Sequence, residues 1–177
     1  ENKKSTQEEI KLYTTEKETV FSEHIDREIN AKLFIFATKH QSKSGIPTLS
    51  VHAPGNWAKA EFGGQDRKLC TAPAAYQKEY YKIISKRKLE GFDIVNEATH
   101  HGPYIEKPCM FVEIGSTDKE WRMKEAGAIV AQAIISLLTK KIEKYRVAFA
   151  IGGLHTCHNF NKIVLNSEYA IGHVCPK

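Results

Sequence analysis

The chain has 177 residues, 41% of them hydrophobic, four cysteines and a formal net charge of +5. That size suits one domain with a core able to fold unaided, and the apolar content excludes a disordered chain. No apolar run reaches the roughly 18–20 residues of a membrane span, the spread cysteines (Cys70, Cys109, Cys157, Cys175) with no CxxC pair exclude a zinc knuckle or a disulfide scaffold, and the mild positive charge permits an RNA partner without demanding one.

Residues 1–18 are charged and polar, unlike a secretory signal, and together with the absence of disulfide patterning they suggest a reducing cytoplasm. Residues 1–17 read as a helical or frayed lead-in, and residues 20–31 approach a helical period suited to a surface helix. Leu33-Phe34-Ile35-Phe36-Ala37 is a continuous apolar run, the pattern of a strand buried on both faces. It enters a polar loop, residues 38–45, in which Lys39, His40, Ser42 and Lys43 could meet phosphate. The Walker spacing is absent there, which argues against nucleoside triphosphate binding. Residues 46–52 form a second strand ending at His52. Ala53-Pro54-Gly55-Asn56-Trp57 is a turn, and Gly63-Gly64 is a tight turn or a place where backbone meets ligand.

Pro73 opens a helix that runs to about Leu89, with Tyr76, Tyr80, Ile83 and Ile84 as its buried stripe and Gly91 beyond its end. Lys82, Lys86, Arg87 and Lys88 crowd its last turns, where cations complement the helix dipole. The strand Phe92 to Val95 leads into Glu97-Ala98-Thr99-His100-His101-Gly102-Pro103. A rigid strand delivering a carboxylate and two imidazoles into a turn is a common way to build a site, although paired histidines also serve as plain loop residues. Met110 to Ile114 is another buried-type strand, interrupted by Glu113. A carboxylate there is costly unless it is paired or binds a cation. Thr117 and Glu120 form a capping box that opens a long helix to about Ile142. Arg146 to Ile151 reads as a buried strand. It enters Gly152-Gly153-Leu154-His155-Thr156-Cys157-His158, and a last strand, residues 169–174, carries His173.

Strands and helices alternate, which is the α/β signature. Histidine or glutamate stands at four separate strand ends: His40, His52, Glu97 to His101, and Gly152 to His158. Open α/β sheets bind ligands at such ends.

Six segments then carry a resemblance. They are Ala37-Thr38-Lys39-His40-Gln41-Ser42-Lys43, residues 48–57, Glu97 to Pro103, Phe111 to Ser116, Gly152-Gly153-Leu154-His155, and Ile171-Gly172-His173-Val174. In this order they resemble the archaeal and plant type of D-aminoacyl-tRNA deacylase, most specifically through EATHHGP followed by FVEIGST. The resemblance implies a zinc-dependent cytoplasmic hydrolase that cuts the ester between a D-amino acid and the 3′ end of tRNA. It implies an α/β three-layer sandwich with a mixed, mostly parallel sheet of the phosphorylase/peptidyl-tRNA-hydrolase type; separately, the chain is expected to act as a monomer. Residues 1–32 would be a lead-in and residues 33–177 the catalytic domain, without the N-terminal unit and C-terminal region usual in the family. The glycine turn also departs from the family's His-Tyr-Ala-Pro, reading His155-Thr156-Cys157-His158 here.

What the resemblance implies for the site is a zinc centre of one or two ions, with ligands drawn from His52, His100, His101, Glu113 and His155. The preferred metal set is His52, His101, Glu113 and His155, with Glu97, His100 and His101 as catalytic residues. Lys39, His40, Ser42, Lys43, Gly102, Gly152 and Gly153 would meet the tRNA end. Two alternatives stay open: a peptidyl-tRNA hydrolase or amidohydrolase on the same architecture, and a non-catalytic RNA-binding module.

Overall fold

A computed structural model describes residues 9–87 and 89–177. The first eight residues of the expected lead-in and Lys88 lie outside the described residues. Residues 9–18 contain no helix. The expected surface helix is reduced to a 3₁₀ turn, Thr19–Phe21, and a short α1, Ile25–Glu28.

Four strands form a mixed sheet: β1 (Phe34–Gln41), β2 (Thr48–His52), β3 (Asp93–Asn96) and β4 (Cys109–Ser116), in the order β1-β4-β2-β3. β1 is parallel to β4 and β3 is parallel to β2, while β2 and β4 are antiparallel. A second, two-stranded parallel sheet joins β5 (Arg146–Ile151) to β6 (Tyr169–Cys175). The helices are α2 (Ala74–Ser85), α3 (Asp118–Trp121), α4 (Lys124–Thr139) and α5 (His158–Asn166).

The period-two alternation of a strand divides the sheet into two chemically different faces. Leu49, Val51, Met110 and Val112 point to one face and meet Tyr80, Tyr81 and Ile84 of α2 and Val130, Ala133 and Leu137 of α4 in the main core. Phe34, Phe36, Cys109 and Phe111 point to the other, packing against Val20, Cys70 and Ile105 under loops and the N-terminal segment. On that second face the same alternation brings up Thr38 and His40, Ser50 and His52, and Glu113. No helix among the described residues is long and apolar enough to cross a membrane. All four cysteines are free.

Several expected elements change. β1 runs on through Thr38 to Gln41, which had read as loop, and its burial alternates rather than being continuous, because it is an edge strand. The long helix breaks at Arg122 and Met123 into α3 and α4; Glu120 does accept from the Thr117 N–H at 3.0 Å and from its hydroxyl at 2.6 Å. β5 is exposed rather than buried, since among the described residues it pairs only with β6. Gly63 and Gly64 take positive φ and pack on Val20, Asn56 and Gly102, which makes them a packing device rather than a ligand contact. α5 was not expected.

Lys78 explains how α5 is held. Its buried ammonium donates to the carbonyls of Val164 and Ser167 (2.8 Å), orphan acceptors at the end of that helix, and to that of Tyr169 (3.0 Å) at the start of β6. Lys78→Met is therefore expected to cost roughly 2–4 kcal/mol, lowering Tm by about 10 °C in a thermal melt followed by circular dichroism.

Candidate metal centre

β2 ends with His52 on the inner face, and the chain after β3 places Glu97 beside it. Glu113 rises from the middle of β4, opposite Thr38 on β1 and Ser50 on β2. Because β1 and β2 run in opposite directions, their carboxyl ends lie at opposite edges of the sheet. The site therefore spans a face, not a single edge as the strand-end rule suggested. Gly115 lets this happen. A Cβ there would sit 2.5 Å from the Thr48 hydroxyl and 3.0 Å from the ring of His40, so only glycine leaves room for that imidazole.

His40 Nδ1 lies 3.6 Å from both Glu97 Oε1 and Glu113 Oε2, and His52 Nδ1 lies 3.4 Å from Glu97 Oε2. His155 reaches in from the glycine turn, its Nε2 3.7 Å from Glu97 Oε2. His100 and His101 close the cluster, their rings 4.4 and 4.9 Å from that of His52. Phe111 supplies an apolar floor against His52 and His101. Glu97 and Glu113 are only 2% and 3% exposed, whereas the His155 side chain is 46% exposed and marks the mouth.

Hydrogen bonds fix two tautomers. His100 Nδ1 is 2.8 Å from Ala98 O, and His101 Nδ1 is 2.6 Å from Gly102 O. A carbonyl only accepts, so both Nδ1 atoms carry the proton and both Nε2 atoms present lone pairs. His101 holds this pose at φ 45°, a left-handed conformation uncommon for a residue with a side chain.

Burial controls the charges. It pushes both carboxyls up to about 8, with the neighbouring Glu113 charge adding to the rise at Glu97. Burial also pushes His52 and His100 well below the usual imidazole range, and His101 down to about 4. His155 is lowered for the same reason. Burial thus favours the neutral, coordinating form of His52, His100, His101 and His155.

Three groups each offer ligand atoms within 4.8 Å of one another: His52, His100 and His101; His40, Glu97 and His155; and His52, Glu97 and Glu113. His52 Nδ1, both oxygens of Glu97 and Glu113 Oε2 are buried with no hydrogen-bond partner. His52 Nε2 faces His101 Nε2 at 3.3 Å. Buried atoms this polar are normally satisfied, and a cation held by His52, Glu97 and Glu113 would satisfy one such atom of each. The residues present fit a metal centre.

The remaining expected site residues divide. His40, assigned to tRNA contact, sits inside the cluster. Lys39 is exposed, its ammonium 4.9 Å from the Trp121 ring centre, and Ser42 bonds Ser44 at 2.9 Å. Lys43 is exposed on the same loop. Gly102 does not line the cluster; a Cβ there would lie 2.2 Å from Gly64 N. Gly152 and Gly153 take positive φ in the turn that carries His155. His158 stands on α5 near Asp93, at 3.7 Å, outside the cluster. Residues quoted from the sequence without an assigned role support the centre: the Trp57 indole donates to Thr99 O at 3.1 Å, and the Thr99 hydroxyl lies 3.0 Å from His173 Nδ1.

The chain is also similar to known proteins. The family model described as D-aminoacyl-tRNA deacylase matches residues 27–177. The chain is 38% identical over 184 residues to the D-aminoacyl-tRNA deacylase of Pyrococcus furiosus, covering 99% of this chain and 67% of that protein. It is 39% identical over 147 residues to the corresponding protein of Cenarchaeum symbiosum, covering 81% and 57%. A crystal structure described as a conserved protein of unknown function superposes with a TM-score of 0.88 at 32% identity, covering 92% of this chain and 60% of the other. The chain thus spans about two thirds of the length of the curated relatives it matches.

Proposed function

Because the chain belongs to the D-aminoacyl-tRNA deacylase family, we propose that it hydrolyses the ester between a D-amino acid and the 3′ end of tRNA, releasing both. The observation that carries this reading is the convergence of His40, His52, Glu97, His100, His101, Glu113 and His155 from five parts of the chain onto one sheet face. The proposed protein is a cytoplasmic monomer whose residues 33–177 form the catalytic domain behind a lead-in of residues 1–32. Its proposed architecture is the three-layer phosphorylase/peptidyl-tRNA-hydrolase type.

An imidazole and carboxylate donor set suits zinc. His52, His100 and His101 would hold one ion; Glu97, with His40 and His155 or with His52 and Glu113, would hold a second. Zinc, when bound, supplies a water acidified toward neutral pH and a Lewis acid for the ester carbonyl. Glu97 Oε1 would accept the proton of the attacking water and return it to the departing ribose oxygen. Glu113 would keep Glu97 oriented. Lys39, Ser42 and Lys43 would meet terminal phosphates, and the bare backbone of Gly152 and Gly153 would border the substrate. Discrimination against the L ester would come from a clash at the side chain.

The test is deacylation of D-tyrosyl-, L-tyrosyl- and N-blocked L-aminoacyl-tRNA, coupled to metal analysis. The D ester is expected to be cleaved, with loss of activity on chelation and recovery on adding zinc. Preference for the N-blocked substrate would point to a peptidyl-tRNA hydrolase. Metal-independent, strongly salt-sensitive RNA binding without turnover would point to a binding module.

A further inference from the structure

The segment 19–28 crosses the loops behind the metal centre, and its two carboxylates do unusual work for so short a piece of chain. Glu23 Oε1 accepts from the Gly64 N–H at 2.6 Å, and Glu23 Oε2 accepts from the Tyr104 N–H at 2.9 Å. These donors lie 41 and 81 residues away and belong to different loops. Asp26 Oδ2 accepts from the N–H groups of Glu106 and Lys107, at 2.9 and 3.3 Å, further along the second loop. Apolar contacts reinforce the crossing: Val20 is buried in the inner core, and the rings of Phe21 and Phe62 meet edge to face at 5.3 Å.

What Glu23 grips is the frame of His101. Gly64 stacks directly on Gly102: a Cβ on Gly102 would lie 2.2 Å from Gly64 N and 2.5 Å from Val20 O. The Gly102 N–H donates to Phe62 O at 2.9 Å. Gly102 O in turn takes the Nδ1–H of His101. The first loop passes through Gly64 and the second through Gly102 to Tyr104, so one carboxylate ties together both walls of the Gly102 turn. His101 sits at positive φ outside any strand or helix, its carbonyl accepting from the Gly55 N–H at 2.8 Å. A strained backbone persists only where its surroundings over-determine it.

We infer that Glu23 is a positioning residue: its carboxylate clasps the two loops around Gly102 and thereby keeps the His101 Nε2 lone pair aimed at His52. The catalytic arm of the test below rests on the deacylase reading; the spectroscopic arm does not. A strong charge-assisted pair of backbone hydrogen bonds is suited to this task, because it fixes distance and direction together. Misplacement of about 1 Å by a residue far from the chemistry can cost about a hundredfold in rate, so loosening one wall of the turn has a large lever. Asp26 provides an internal control. It belongs to the same segment and makes the same kind of bond, but to residues beyond the Gly102 frame.

The experiment records the ¹⁵N signals of the His101 ring in the metal-free, full 177-residue protein, and steady-state deacylation after zinc is added. In the parent protein His101 shows a protonated Nδ1 and an unprotonated Nε2. Glu23→Ala is expected to mix the two tautomers and to lower kcat by about tenfold or more, with KM changed by about twofold or less. Glu23→Gln, which keeps one acceptor and sets an amide N–H against the other donor, is expected to fall between the two; it carries the test on the same readouts if the alanine variant does not fold. Asp26→Ala is expected to leave the His101 signals and kcat unchanged, whatever its effect on Tm. The inference is overturned if the Glu23 variants leave the His101 signals as in the parent. It is equally overturned if Glu23→Ala and Asp26→Ala lower kcat together in step with Tm, since that is general loosening. If the parent protein cleaves no D-aminoacyl-tRNA, the deacylase reading fails while the His101 signals still decide the clasp.

Discussion

Replacing His52 by alanine is expected to lower the deacylation of D-aminoacyl-tRNA by about a hundred- to a thousandfold and to remove at least one equivalent of bound zinc. His52 belongs to two of the three candidate ligand groups. Its two ring nitrogens reach opposite partners, Nδ1 toward Glu97 at 3.4 Å and Nε2 toward His101 at 3.3 Å. No other imidazole here links the carboxylate half of the cluster to the paired histidines in this way. The ring also stacks between His100 and Phe111, so its removal opens a hole in the floor of the site and lowers Tm as well. His158→Ala separates these effects. That residue is exposed on α5 outside the cluster, and its variant should keep full activity and full metal content. A His52→Ala protein with kcat within about threefold of the parent and unchanged zinc would remove the metal centre from the mechanism.

How much of this centre was readable beforehand depended on where the chain stays regular. His52, Glu97, His100, His101 and His155 stand out in the sequence because they follow strand-like runs into turns, and Glu113 because it interrupts one; the resemblance joins them as one site, and the fold brings all six together. His40 was assigned to a loop because the apolar run stops at Ala37. Its alternation with Phe34, Phe36 and Thr38 was the available signal: the strand simply continues with polar residues at its exposed edge. α5 was missed for a different reason. Cys157 gives it no side-chain cap, and of its apolar residues Phe160, Ile163, Val164 and Leu165 only Val164 is buried, so the helix has little core face to announce it. Burial on both faces was overestimated for β1 and β5, because a continuous apolar run cannot distinguish a central strand from an edge strand. Trp57, Thr99 and His173 lie in segments that the sequence marks, but the support they give one another exists only once residues 57, 99 and 173 are neighbours in space.

In the metal-free protein, stability is expected to fall on both sides of a window between about pH 4.5 and 6.5. The two carboxyls, raised by burial to about 8, bind protons in the fold that the unfolded chain has already released. Their contribution is complete below the ordinary carboxylate pKa and is lost as pH rises through about 8. The lowered imidazoles act in the opposite sense. Their contribution is complete above the ordinary imidazole pKa and is lost as pH falls, through about 4 for His101. Tm of the chelated protein should therefore drop by about 5–10 °C between pH 6 and pH 9. Glu113→Gln removes one of the two carboxylates whose ionisation drives that drop. It should roughly halve the slope and, at pH 9, make the metal-free variant more stable than the parent. Zinc should reverse the ranking: a cation stabilises the ionised pair, so the parent gains most at high pH while the glutamine variant gains little. The same substitution would then raise the stability of the empty fold and abolish turnover, which is the signature of a carboxylate kept for its ligand rather than for packing. A chelated parent whose Tm stays flat from pH 6 to pH 9, or a glutamine variant with an unchanged slope, would mean that Glu97 and Glu113 are already ionised and satisfied without any cation.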